Sequence, residues 1–197
     1  MAHDTISSET TGDWQMYRWL KMAALSLVFG LTLALPLTAA NAAQIEAFFG
    51  NFRGSGIAEN SDSLYFGVTV RDFDVEIGPS SKGFGVKWTA VIRGGGDPAK
   101  PNVRRKSLSL SFSPTNRPSV FKVETAADPL SGELFAWARI ENQTFTIYML
   151  SIRKDGGYEI QSYARTLTGQ GMDLTYARVR DGDKVRTVKG KLVKYAK

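Results

Sequence analysis

From about Leu64 onward, apolar and polar residues alternate along the chain with a period of two, the mark of strands that bury one face. In Lys106–Ser113, KSLSLSFS, Leu108, Leu110 and Phe112 fall on one side and serines on the other. FGVKWTAVI puts Phe84, Val86, Trp88, Ala90 and Ile92 on one face. FDVEI sets Phe73, Val75 and Ile77 against Asp72, Asp74 and Glu76. Further strands are predicted over Leu134–Ile140, Phe145–Arg153, Tyr158–Leu167, Met172–Arg180 and Val185–Tyr195.

Turn residues separate these runs: Gly78-Pro79, Asp155-Gly156-Gly157, Gly169-Gln170-Gly171 and Asp181-Gly182-Asp183. Asp-Gly between alternating runs is a hairpin signal. Longer loops are expected over Arg93–Arg104 and Ser113–Ser119, which are rich in Gly, Pro and Asn. A helical period shows only in AQIEAFF, where Ile45, Phe48 and Phe49 share a face. The expected fold is therefore all-β, an antiparallel up-and-down meander of about 8–10 strands after a short N-terminal helix. A sheet that long closes into a barrel or leaves an exposed edge; a two-sheet β-sandwich is the alternative.

A short helix, then Gly50-Asn51-Phe52 opening the first strand, then a meander, resembles the lipocalin/calycin β-barrel superfamily. That superfamily carries Gly-x-Trp at this place, and here Phe52 replaces the Trp. The resemblance implies a small apolar ligand held inside the barrel, and an Arg from a late strand, Arg178 or Arg186, packed over Phe52. GNFRGSG is also similar to the Gly-x-Trp-x-Gly-x-Gly of haem-binding members, but those use an axial histidine. The glycines do not make a phosphate loop. Ser55 stands where a Walker loop has Lys, the dinucleotide fingerprint lacks its third glycine, and no helix follows. Gly50, Gly54 and Gly56 are instead expected to let the first strand bend at the barrel closure.

The N-terminal stretch changes what the working protein contains. Arg18 and Lys21 precede the uncharged apolar run Met22–Leu35, followed by Pro36 and TAANA. This order predicts a signal peptide, residues 1–42, cut after Ala42, and a single barrel domain over 43–197 in the periplasm or secreted. The acidic residues Asp4, Glu9 and Asp13 are unusual ahead of such a run, and Met16 is the more ordinary start. Cleavage would raise the formal charge of +6 by one. It would also remove His3, the single histidine of a chain that has no cysteine. A mature chain with neither residue has no Ser-His-Asp or Cys-His triad, no His- or Cys-bound zinc and no His-bound haem. A non-enzymatic binder without cofactor or metal is expected.

The candidate ligand contacts are Trp88, Trp137, Arg139, Tyr163, Arg165, Tyr176 and Arg178. Tyr163 and Arg165 share one face of their strand, and pointing inward they would anchor a carboxylate or phenolate head. Pointing outward they would be cross-strand pairs, the arrangement expected here. Trp137 shares a face with Phe135 and Arg139, which allows a cation–π stack. Asp72, Asp74 and Glu76 read as a solvated face opposite Lys82 and Lys87, not as a calcium site or acid–base pair. The segment Arg178–Lys197 concentrates positive charge, and its Lys189, Lys191 and Lys194 are candidates for contact with an anionic envelope surface or partner protein. Nucleic acid is not expected for an exported chain. An integral outer-membrane barrel is a further reading, against which the lysine-bearing last strand counts.

Overall fold

The alternating runs fold into a closed antiparallel barrel. Among the described residues the strands are β1 (Gly50–Asn60), β2 (Thr69–Ser80), β3 (Gly83–Gly94), β4 (Asn102–Pro114), β5 (Val120–Val123), β6 (Phe135–Glu141), β7 (Thr144–Ile152), β8 (Tyr158–Leu167), β9 (Gly171–Arg180) and β10 (Asp183–Tyr195). Each bonds its neighbours in sequence, and β10 returns to pair with β1. That closure leaves no edge, which excludes the sandwich. The computed structural model describes residues 44–60, 69–94 and 102–196, all within one unit, Pro36–Lys197. The expected signal segment and its cut lie outside the described residues.

The predicted faces point as the alternation requires. Phe73, Val75, Ile77, Phe84, Val86, Trp88 and Phe112 are buried in the interior, while Arg53, Glu76, Lys87, Lys189 and Lys191 are exposed on the outside. This is the inverse of a barrel that presents an apolar belt to lipid. The outer carboxylates make pairs: Asp74 accepts from Arg53 Nε at 2.7 Å, and Glu76 lies opposite Lys87 in register.

Two local expectations are corrected, and one strand is added. Gly78-Pro79 is not the turn; β2 continues to Ser80, and the chain reverses at Ser81-Lys82. The Arg93–Arg104 loop is shorter than read, because β3 runs to Gly94 and β4 starts at Asn102. The four residues of β5 are too few to show a period.

One end of the barrel is solid. A helical turn over 44–46 leads in, placing Ile45 and Phe48 in the core at 4% and 1% exposure, with Phe49 packed against it. The ring of Phe84 lies 5.3, 5.0 and 5.6 Å from those of Phe112, Phe121 and Phe145. Phe48 completes the cluster, 5.6 Å from Phe145. Such pairs add about 0.5–1.5 kcal/mol each beyond area burial. This aromatic plug fixes which end is left to hold anything.

Candidate functional site

The other half of the barrel is hollow. It contains a cavity of about 360 Å³, within the range of about 300–1,000 Å³ typical of small-molecule sites. Its walls are apolar side chains of β2, β3 and β4, among them Phe73, Val75, Trp88, Ala90 and Leu108. Its polar groups come mostly from β8, β9 and β10.

Register stacks those three strands into inward rows. Deepest, over the plug, Leu192 pairs with Met172 and Met172 with Leu167. Next come Gly190, Leu174 and Arg165, then Val188, Tyr176 and Tyr163, and last Arg186, Arg178 and Gln161 at the mouth. The side-chain period of two puts each residue type on one level.

Arg165 is 1% exposed, and its Nε and Nη1 have no hydrogen-bond partner. No carboxylate faces it among the described residues lining the cavity. Its guanidinium lies 5.4 Å from the Trp88 ring centre and 5.8 Å from that of Tyr163. These aromatic faces offset part of the cost of burying a charge. Burial nevertheless pulls its pKa from the ordinary guanidinium range down to about 10, so at neutral pH the group stays cationic.

The tyrosines are held rigidly by one amide. Tyr163 and Tyr176 donate to Gln161 Oε1 at 3.1 and 3.3 Å, and Gln161 Nε2 donates to Glu159 at 2.8 Å. Burial raises the pKa of both phenols, so they remain neutral donors with their protons committed to Gln161. Their rings stack along the wall: Trp88 to Tyr163 is 5.1 Å and Tyr163 to Tyr176 is 4.7 Å. At the mouth, Arg178 and Arg180 approach Glu159 at 3.8 and 3.2 Å. Arg71, half-buried on the opposite wall, has its pKa lowered by burial first and then by nearby Arg186.

Of the seven candidate contacts, Trp88, Tyr163, Arg165, Tyr176 and Arg178 line this cavity. The outward placement expected for Tyr163 and Arg165 is corrected: both point in. Trp137 and Arg139 are on the outer face. There Trp137 stacks on Tyr148 at 5.0 Å, and Arg139 pairs with Glu141. Ala136, Ala138 and Ile140 take the inward positions of that strand. The cation over Phe52 is also corrected: it is Lys194, 5.7 Å from the ring, whereas Arg178 and Arg186 sit at the cavity mouth. That sets Lys194 apart from Lys189 and Lys191, which project outward further along β10.

Sequence reading missed Arg71, Lys106 and Gln161 as lining residues. Two left a signal: Arg71 is in phase with Phe73, Val75 and Ile77, and Lys106 with Leu108 and Leu110.

Among the described residues no group of histidine, cysteine, aspartate or glutamate is placed to hold a metal. No protein-family model matches the chain, and no curated protein matches it.

Proposed function

We propose that the chain is an exported, non-enzymatic, lipocalin-like barrel that carries a small amphipathic molecule, its acidic head against Arg165 and its apolar body along Trp88, Tyr163 and Tyr176. The carrying observation is Arg165 itself, a buried cation in a cavity with two unpaired donor atoms. An unpaired buried charge is costly, and an anion in the adjoining space supplies what the protein leaves out. Ten strands exceed the eight of lipocalin barrels, so the likeness is one of architecture: a plugged end, an open end and a cavity between. The tyrosine hydroxyls serve Gln161 and the described lining has no histidine, cysteine or carboxylate, a composition better suited to binding than to proton transfer.

Native mass spectrometry of protein purified from its own host tests this. A co-purifying acidic small molecule is expected in wild type and lost in Arg165→Met. Wild type that carries nothing and takes up no apolar fluorophore would overturn the reading.

A second reading rests on the outer wall. Ile57 and Val70, 53% and 56% exposed, face each other in register, and Lys189 lies on the other side of Ile57. An apolar pair flanked by Lys189 and Lys191 suits contact with an anionic glycolipid surface. Sedimentation with anionic vesicles, reversed by Lys189→Glu with Lys191→Glu, tests it; unchanged sedimentation of that variant rejects it.

A further inference from the structure

The cavity is cationic at both ends. Arg165 lies at its floor, while Arg71, Arg178, Arg186 and Lys106 line its mouth. Between them the wall is apolar and aromatic, made by Trp88, Tyr163, Tyr176, Val188 and Leu174. Glu159 neutralises part of the mouth through Arg178 and Arg180. On the β2 wall the Nε of Arg71 is buried with no hydrogen-bond partner, and Arg71 feels the like charges of Arg186 and Arg104.

Register gives the separation. From the Arg165 level to the Arg178–Arg186 level is four residues along β8, β9 and β10, about 13 Å at the strand rise of roughly 3.3 Å per residue. A ligand with one acidic head satisfies only one pole. Head down on Arg165, its tail end would lie among the mouth cations. Head up, it would leave Arg165 unpaired beneath it. Head down leaves the buried Nε of Arg71, which has no hydrogen-bond partner, facing hydrocarbon, and head up leaves Arg165 so; either costs desolvation.

Resting on the carrier reading above, we infer that the ligand is a two-headed acid. It carries one carboxylate- or phosphate-type group on Arg165, an apolar body along the aromatic wall, and a second anionic group among Arg71, Arg178 and Arg186 at the mouth. The enclosed volume of about 360 Å³ restricts it to a compact, single-chain or small aromatic body.

Titration calorimetry on the full chain discriminates. The probes are saturated α,ω-dicarboxylates of roughly eight to fourteen carbons, lengths that bracket the span, each compared with its monocarboxylate. The best dicarboxylate should bind at least about tenfold tighter than its monoacid, equivalent to about 1.4 kcal/mol. The double variant Arg71→Gln/Arg186→Gln, changed only at the mouth, should erase that preference, bringing the dicarboxylate's affinity to that of its monoacid. Arg165→Met should weaken both series. Equal binding of the two series, or a preference that survives the double variant, overturns the two-headed ligand and leaves the carrier reading intact. If neither series binds and an apolar fluorophore does not enter, the carrier reading falls as well.

Discussion

On the proposed carrier reading, Arg165 sets stability against binding in a way that can be measured. Its pKa falls from the ordinary guanidinium range to about 10 because folding strips its water without supplying a carboxylate. The folded pKa lies below the unfolded one, so the folded state is penalised at every pH below about 10. The penalty fades as pH rises from there towards the unfolded guanidinium's own value, a range in which the unfolded chain still keeps the proton. The shift corresponds to about 3 kcal/mol, offset by about 0.5–2 kcal/mol from the aromatic faces. Arg165→Met should therefore stabilise the ligand-free barrel by about 1–3 kcal/mol in urea unfolding; a less stable variant would show that the guanidinium is structurally satisfied. Binding follows the opposite sign. An acidic ligand needs the charged guanidinium, so affinity should hold steady from pH 6 to about 9. It should weaken about tenfold by about pH 11, a unit above the free protein's value of about 10. Arg165→Met should show no such fall. A bound anion pushes the Arg165 pKa back up, so the complex, once formed, should hold to higher pH than the free site.

At the scale of elements, the β1–β10 seam decides whether the barrel closes. A Cβ on Gly54 would lie 1.8 Å from the Lys191 carbonyl oxygen, and one on Gly56 2.6 Å from that of Lys189. Both obstacles are backbone, so neither can swing aside. Gly54→Ala must push the closing strands apart, and a loss of about 3 kcal/mol or failure to fold is expected. At Gly85, on β3, a Cβ meets nothing within 4 Å. Gly85→Ala should be neutral or stabilising by about 0.4–1 kcal/mol through the unfolded chain. Chemical denaturation of the two variants checks the pair, and equal effects would refute the seam's role. These glycines show how far the sequence speaks for its elements. The alternation in KSLSLSFS and FGVKWTAVI states both strand and face, and the glycines Gly54 and Gly56 of GNFRGSG stand where the β10 backbone comes close. The β8 run YEIQSYARTL does not state its face, since Tyr158, Ile160 and Ala164 are as apolar as Tyr163 and Leu167. Its inward side is set by pairing with β7 and β9, a non-local fact, and Arg165 could not be placed before that pairing was known.

Over the whole molecule, the two halves of one barrel make opposite use of the same alternation. The plugged half was legible because Ile45, Phe48, Phe52, Phe84 and Phe112 are large, apolar and in phase. The hollow half was not, because a cavity is a deficit of volume summed over several strands, and no single strand records it. Ala90 on β3 lines the cavity, whereas Ala138 on β6 is fully buried in packed core. Lengthening each by the same hydrocarbon should therefore have opposite consequences. Ala90→Leu extends into space, adding roughly 1–2 kcal/mol of stability from newly buried methyl groups. It should also displace the ligand and weaken binding at least about tenfold. Ala138→Leu has no space to enter and should cost about 1–3 kcal/mol through overpacking. It should leave affinity near wild type among molecules that remain folded, because residue 138 does not touch the cavity. Thermal unfolding with and without dicarboxylate reads both effects at once, since a ligand bound only to the folded state at about a hundred times its Kd adds about 2.7 kcal/mol. Ala90→Leu should start higher and gain nothing from ligand, while Ala138→Leu should start lower and gain the full increment. If both variants respond alike, the interior is not divided into plug and cavity, and the proposed carrier reading loses its structural basis.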